Sequence, residues 1–419
     1  MAKHNDFSKG PVWKCIIVQA VPLMIAQLVQ LLYNVVDRIY LGHMGGSTLS
    51  LTGVGLTFPA ITLIMACTAL FGMGGTPLFS MTRGAGDEDK AGQILGNSFA
   101  LLLLSSGLLM AAGYLFCEPI LYAFGASPES FVYAKEYLDI YLLGTLFSMT
   151  ATGLNGYINA QGYPKIGMLS IVIGAVSNII LDPIFIFVFD MGVAGAALAT
   201  IISQSISAIW VLRILFGKTV AVPLRIRSIR IRRDITRDIF RLGTANFIMQ
   251  GTNCLVQVAC NSTLQIYGGD LYVGIMTVVN SIREIFMLPL SGMVGGAQPV
   301  ISFNYGAKDY RRVRSGIRFN TFMGAAYNTL SWVLIVLFPR FWFSIFSDDA
   351  ATIAAGVGAL NIYFFGFVFM AFLLPRLGFG VDGVFLAEPI SNIIGGLACY
   401  ITMRRTVYRD ITAKLKVEN

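Results

Sequence analysis

Long apolar stretches alternate with short polar ones along almost the whole chain. The apolar stretches fall at roughly 15–41, 54–80, 93–117, 132–157, 166–189 and 193–216. After a polar interval they resume at roughly 240–267, 273–303, 316–338, 352–372 and 379–403. Crossing the hydrocarbon core of a bilayer as a helix takes about 20 residues, and each stretch is long enough. The pattern therefore predicts an all-α polytopic membrane protein with eleven visible spans. A composition of 56% hydrophobic and 12% charged residues points the same way and excludes an ordinary soluble domain.

Charge then orients the spans. The N-terminus (Lys3, Lys9, Lys14), the 83–90 interval, the central interval from Lys218 to Arg241 and the 308–318 interval are basic. The intervals 43–52, 118–131, 190–192 and 268–272 contain no Lys or Arg. By the positive-inside rule the N-terminus and central linker are cytoplasmic, with the spans in the cell membrane. The net charge of +8 is explained by these intervals without a nucleic-acid partner. Six cysteines without a CxxC pair, and two histidines near span ends (His4, His43), predict neither disulfides nor a metal centre, and no cofactor.

The chain repeats itself. Pro77-Leu-Phe-Ser80 matches Pro299-Val-Ile-Ser302, and Gly84-Ala-Gly-Asp87 matches Gly306-Ala-Lys-Asp309. Ile140-Tyr-Leu-Leu-Gly144 matches Ile362-Tyr-Phe-Phe-Gly366, and each pair is 222 residues apart. Two parallel halves are expected, folded as pseudo-symmetric six-helix bundles. The expected boundaries are 1–216 for the first lobe, 217–239 for the linker, 240–403 for the second lobe and 404–419 for a cytoplasmic tail. The offset then falls: Gly192-Val-Ala-Gly195 recurs as Gly380-Val-Asp-Gly383, 188 residues on, so 222 − 188 = 34 residues are absent near Phe372–Leu373. Twelve spans are thus expected, with most of the eleventh missing. The basic tail (Arg404, Arg405, Arg409, Lys414, Lys416) agrees, because eleven spans would place it outside.

Polar residues inside spans carry the candidate chemistry. Asp182 lies within the fifth apolar stretch, with Asn178 one turn away on the same face and Pro183 beside it. A mid-membrane carboxylate is costly and marks an ion site, or else an acid that ties two helices together. Gln27, Gln30, Asn34 and Asp37 form a polar stripe on the first span. Asn246, Gln250, Asn253, Gln257 and Asn261 echo it on the seventh without an acid. Such stripes line a cavity or hydrogen-bond between helices. Gln30, Asn34, Asn155, Asn253, Gln257, Glu284 and Glu388 are the candidates for a substrate cavity. Glu388 occupies the second-half position equivalent to Thr200 by the 188 offset, and Arg283 next to Glu284 forms either a local pair or part of the cavity. Gly72-Met-Gly74-Gly75 lacks the Lys-Ser/Thr of a phosphate loop and reads as helix packing. Gly268-Gly-Asp270 reads as a solvated turn at a span end.

Pro22 and Asp37, the Pro77–Asp87 loop, Gln161-Gly-Tyr-Pro164, Asn178-x3-Asp182-Pro183 and Gly192–Thr200, in that order, resemble the multidrug and toxic compound extrusion (MATE) family, in the branch related to DNA-damage-inducible efflux proteins. The resemblance implies two bundles around a central cavity and export of drugs or amphipathic, cationic metabolites against H+ or Na+, by a monomer that partners only its substrates and the bilayer. The residues matching the family's cation site are Asp37, Asn178, Asp182 and Thr200. The same four side chains suit either ion. A lipid-linked precursor flippase shares this architecture but would be expected to carry cations within its lobes, where Arg283 is the main one. A membrane-embedded enzyme is the remaining alternative, but no HExxH or GxSxG signature is present.

Overall fold

The computed structural model describes residues 5–42, 47–124 and 126–345, with 353, 356, 357 and 360 beyond them. Within its helices the side chains of 38–39, 41–52, 123, 253–274 and 277 are left aside. The proposed gap near Phe372–Leu373, the last predicted span, most of the one before it and the basic tail lie outside the described residues. Among the described residues there is no strand.

The first helix, α1 (Val12–Gly42), carries Pro22, and α2 (Ser47–Gly84) carries Pro59 and Pro77. Along α2 the hydroxyls of Thr62, Thr68, Thr76 and Thr82 each donate to the carbonyl one turn back, at 2.8 Å. That is how a hydroxyl avoids an unmet hydrogen bond inside a bilayer. Asp87 caps α3 (Glu88–Leu115) by accepting from the Lys90 N–H. A short helix, α4 (Cys117–Ala123), follows. Ser127 and Ser130 then form a reciprocal capping box at the start of α5 (Pro128–Leu143), with Pro128 in the first turn.

The predicted single span 132–157 is two helices, α5 and α6 (Thr145–Asn159), interrupted at Gly144. Any Cβ at Gly144 would come within 2.4 Å of the Ile201 side chain, so the break lets the chain pass close to the neighbouring helix. Pro183, which lacks an N–H, ends α7 (Pro164–Pro183), and the chain continues as a π-helical turn over Ile184–Val188. α8 (Gly192–Phe216) completes the set that frames the site.

The central linker is ordered. Val220, Val222 and Leu224 are buried, Gln161 holds both polar atoms of the Val222 backbone, and Asn97 reaches the Arg232 carbonyl. The backbone then forms one continuous helix, α9 (Arg233–Gly306, 74 residues), where the sequence predicts two spans with a turn at 268–272. Gly268-Gly-Asp270 contains no proline, so every amide donor needed to continue the helix is present. α10 (Tyr310–Leu337) and α11 (Pro339–Ser344) close the described chain.

Among the described residues, six helical segments are long and apolar enough to cross a membrane: Val12–Asp37, Gly53–Gly84, Glu88–Leu115, Pro164–Val188, Gly192–Phe216 and Val278–Gly306. The protein is thus an all-α, multi-pass membrane protein. α5 and α6 do not join the six because the Gly144 break leaves each only 16 or 15 residues long.

The chain forms two compact units. The first comprises Met1–Gly251 and Leu288–Thr321, and its main core runs from Val54 through Tyr157 and Val211 to Ile239. A second core in the same unit gathers Phe7, Val12, Cys15 and Ile16 against Ala297 and Val300. The other unit, Thr252–Met287 with Phe322 onward, packs Ile275, Val279 and Ile282 against Ile335 and Phe343. There the Tyr327 hydroxyl donates to the Phe286 carbonyl at 3.0 Å.

Candidate functional site

The site is built where α7 packs against α1 and α8. The four-residue spacing puts Asn178 and Asp182 on one face of α7, and they are 2% and 0% exposed. The Asn178 side-chain amide donates to Asp182 Oδ1 at 3.1 Å and to the Thr200 hydroxyl at 3.4 Å. Thr200 in turn donates to the Ala196 carbonyl of its own helix at 3.0 Å. From α1, Asp37 lies near enough to Asp182 for the two carboxyls to interact. The structure therefore brings together all four predicted residues, Asp37, Asn178, Asp182 and Thr200.

Tyrosines complete the surroundings, and the sequence reading did not single them out. Tyr33 lies one turn before Asp37, and its hydroxyl is within reach of Thr200. Tyr137 on α5 is buried and close enough to Asp37 and Asp182 to feel their charge. Its ring stacks on Tyr141, with centroids 6.0 Å apart and planes 15° from parallel. The available signal was the four-residue step from Tyr33 to Asp37. Tyr137 stands among Lys135, Glu136 and Asp139, and nothing in that setting marks it as part of a buried site.

The electrostatic character of the site comes from an excess of acceptors. Asn178 Oδ1 and Asp182 Oδ2 are buried oxygens without a hydrogen-bond donor among the described residues. Asp182 forms no ion pair with a described Lys or Arg. Buried polar atoms are nearly always paired, because leaving one unpaired costs roughly 1–3 kcal/mol. Two carboxyls, an amide oxygen and a hydroxyl offer hard oxygen donors. A proton or a small cation would meet the unpaired atoms.

The other candidates lie elsewhere or outside the description. Gln30 and Asn34 are half-buried on α1, on the stripe that includes Asp37. Asn155 is buried and joins α6 to α7, donating to the Gly167 carbonyl at 3.0 Å and the Ser170 hydroxyl at 2.9 Å. Glu284 is exposed and Arg283 half-buried, and among the described residues they make no ion pair. The side chains of Asn253 and Gln257, and all of Glu388, lie outside the described residues. Gly72 and Gly75 are helical, and a Cβ there would meet Gly153 and the Tyr157 hydroxyl, so this glycine run serves close packing.

Comparison with known proteins bears on the family and the fold. The family model described as MatE matches residues 22–184 and 247–380. The multidrug export protein MepA of Staphylococcus saprophyticus is 26% identical over 381 residues, 91% of this chain and 83% of that protein. MepA of Staphylococcus aureus strain MSSA476 is 27% identical over 307 residues, 73% of this chain and 67% of that protein. Among solved structures, a MOP superfamily transporter from Pyrococcus furiosus superposes with a TM-score of 0.82 at 24% identity, covering 97% of this chain and 98% of that one. An outward-facing multidrug resistance MATE transporter superposes with a TM-score of 0.81 at 24% identity, covering 98% and 99%. At these identities the structural matches speak for the fold.

Proposed function

The chain belongs to the MATE family of efflux transporters, and from that premise we propose that it exports small amphipathic or cationic molecules in exchange for H+ or Na+. Asp37 and Asp182 are the coupling acids, and Asn178 and Thr200 complete their site. The observation that supports this reading is the pair of buried, donorless oxygens, Asn178 Oδ1 and Asp182 Oδ2, beside a second carboxyl.

Two carboxylates held this close repel each other, and a proton or Na+ between them relieves the repulsion. Binding therefore favours the arrangement in which α1 and α7 hold the acids together. Release favours one in which they separate or rehydrate. A preference of a few kcal/mol is enough to change which state dominates. The proline beside Asp182 and the π-helical turn after it place an adjustable stretch of helix next to the acid. One charge crossing the membrane contributes roughly 2.3 kcal/mol per 100 mV to such a cycle. In this reading the two repeats form the two lobes of an alternating-access monomer, and the N-terminus and linker face the cytoplasm.

The test is transport by purified protein in liposomes. A cationic dye should move only when a pH or Na+ gradient is imposed, and the effective gradient identifies the ion. Gradient-independent movement, or flipping of labelled lipid without dye transport, would overturn the proposal.

A further inference from the structure

Residues 5–10 precede the first membrane helix and form a strap whose backbone is held at several points. The Arg312 guanidinium donates to the carbonyls of Gly10 at 2.6 Å and Phe7 at 2.7 Å, and to Asn304 Oδ1 at 2.7 Å. Asn304, 1% exposed, donates to the same Phe7 carbonyl at 3.2 Å. Phe7 is 3% exposed and meets Phe303 edge-on at 5.7 Å. At its other end the strap reaches the first repeat, where the Asn5 N–H donates to the Gly162 carbonyl at 2.9 Å. One short segment thus joins the α6–α7 turn of the first repeat to the α9–α10 turn of the second.

The helix ends beside the strap are in backbone contact, in a repeat-related way. A Cβ on Gly84 would lie 1.9 Å from the Phe303 carbonyl oxygen, and one on Gly306 would lie 1.8 Å from that of Met81. Residues 84 and 306, and 81 and 303, are each 222 apart. Each repeat therefore lays its glycine on the equivalent carbonyl of the other, and no path passes between these ends.

We propose that Arg312 is a gating residue: by clamping the 5–10 strap across both repeats it holds this end of the transport path closed, and the clamp must release for the path to open there. This goes beyond the proposed antiport and rests on it for the direction of transport. Its test reads conformation instead of export, so the two can fail separately. Cys15 supplies the reporter, because it is 5% exposed beneath the strap, with its thiol directed at the Lys9 and Asp6 carbonyls.

In protein whose other five cysteines are serine, Cys15 is labelled with a membrane-impermeant maleimide under imposed pH and Na+ gradients, with and without a transported cationic dye. Wild type should label slowly, and faster when dye makes it cycle. Arg312→Ala should label about ten-fold faster without dye, since it loses several charge-assisted hydrogen bonds at once. Arg312→Lys should fall between, and Arg314→Ala, on the neighbouring exposed face, should match wild type. A purely structural strap would label at one rate with or without dye. That result, or Arg312→Ala labelling at the wild-type rate, would overturn the proposal. If Arg312→Ala yields no folded protein, Phe7→Ala, which leaves α10 intact, takes its place with the same two outcomes.

Discussion

Two buried polar groups in the first unit invite comparison. Around Asn155 and Gln161, amides tie helix to helix and helix to linker. Asn155 donates to Gly167 and Ser170 and accepts from Asn159, while Gln161 uses both ends of its amide on Val222. Around Asp182 the donors run out, and an amide oxygen and a carboxylate oxygen are left without one among the described residues. Burial is as deep in both places. What differs is charge and satisfaction. Asn159 Oδ1 is also donorless, but it is an uncharged amide and cannot take up a proton at physiological pH. The two groups thus differ in what an unmet oxygen can do: beside Asp182 it belongs to or adjoins a carboxyl, which can take up a proton or a cation, and beside Asn155 and Gln161 it does not.

That contrast can be broken or sharpened by substitution. The largest effect is expected at the acids: Asp182→Asn and Asp37→Asn should each bring gradient-driven export down to the level of empty liposomes, with substrate binding and melting temperature close to wild type. Next comes Asn155→Ala, which should lower stability by roughly 1–3 kcal/mol through the groups it leaves unpaired. It should show as a lower melting temperature, while the transport rate per folded molecule is unchanged. Thr200→Val removes one weak acceptor from Asn178 and should slow gradient-driven export roughly five-fold, the effect of about 1 kcal/mol. The smallest effect is expected at the exposed Lys135–Asp139 pair, where Lys135→Ala should alter stability by no more than about 0.5 kcal/mol and leave transport intact. An Asn155→Ala protein that is stable but unable to couple would erase the distinction between the two groups.

Much of this was legible from residue spacing. The Asn178–Asp182 step already puts amide and acid on one face, and an acid in an apolar run is conspicuous. The repeat offset of 222 anticipated that Gly84 and Gly306 are equivalent, but their contact on each other's repeat needs three dimensions. Tyr33 and Tyr137 are hard to single out in the sequence, because an aromatic side chain in a span looks the same whether it packs lipid, core or site. An amide on a helix, such as Asn155, does not reveal from sequence that its partners are a carbonyl and a hydroxyl on the next one. Gly144 gives no warning of the break, since a glycine within an apolar run is compatible with a continuous helix and with a bend. At 268–272 two glycines and an aspartate predicted a turn, but they leave the helical hydrogen bonds available and the backbone takes them.

The central claim is that the open acceptors around Asp182 are where the coupling ion binds. Infrared difference spectroscopy of the reconstituted protein, stepping pH or Na+ concentration, reads carboxyl groups directly. A carboxyl band that responds to one of the two ions should be present in wild type and in Asn155→Ala, and absent in Asp182→Asn and Asp37→Asn. The same ion-dependent band persisting in both Asn variants would contradict the account.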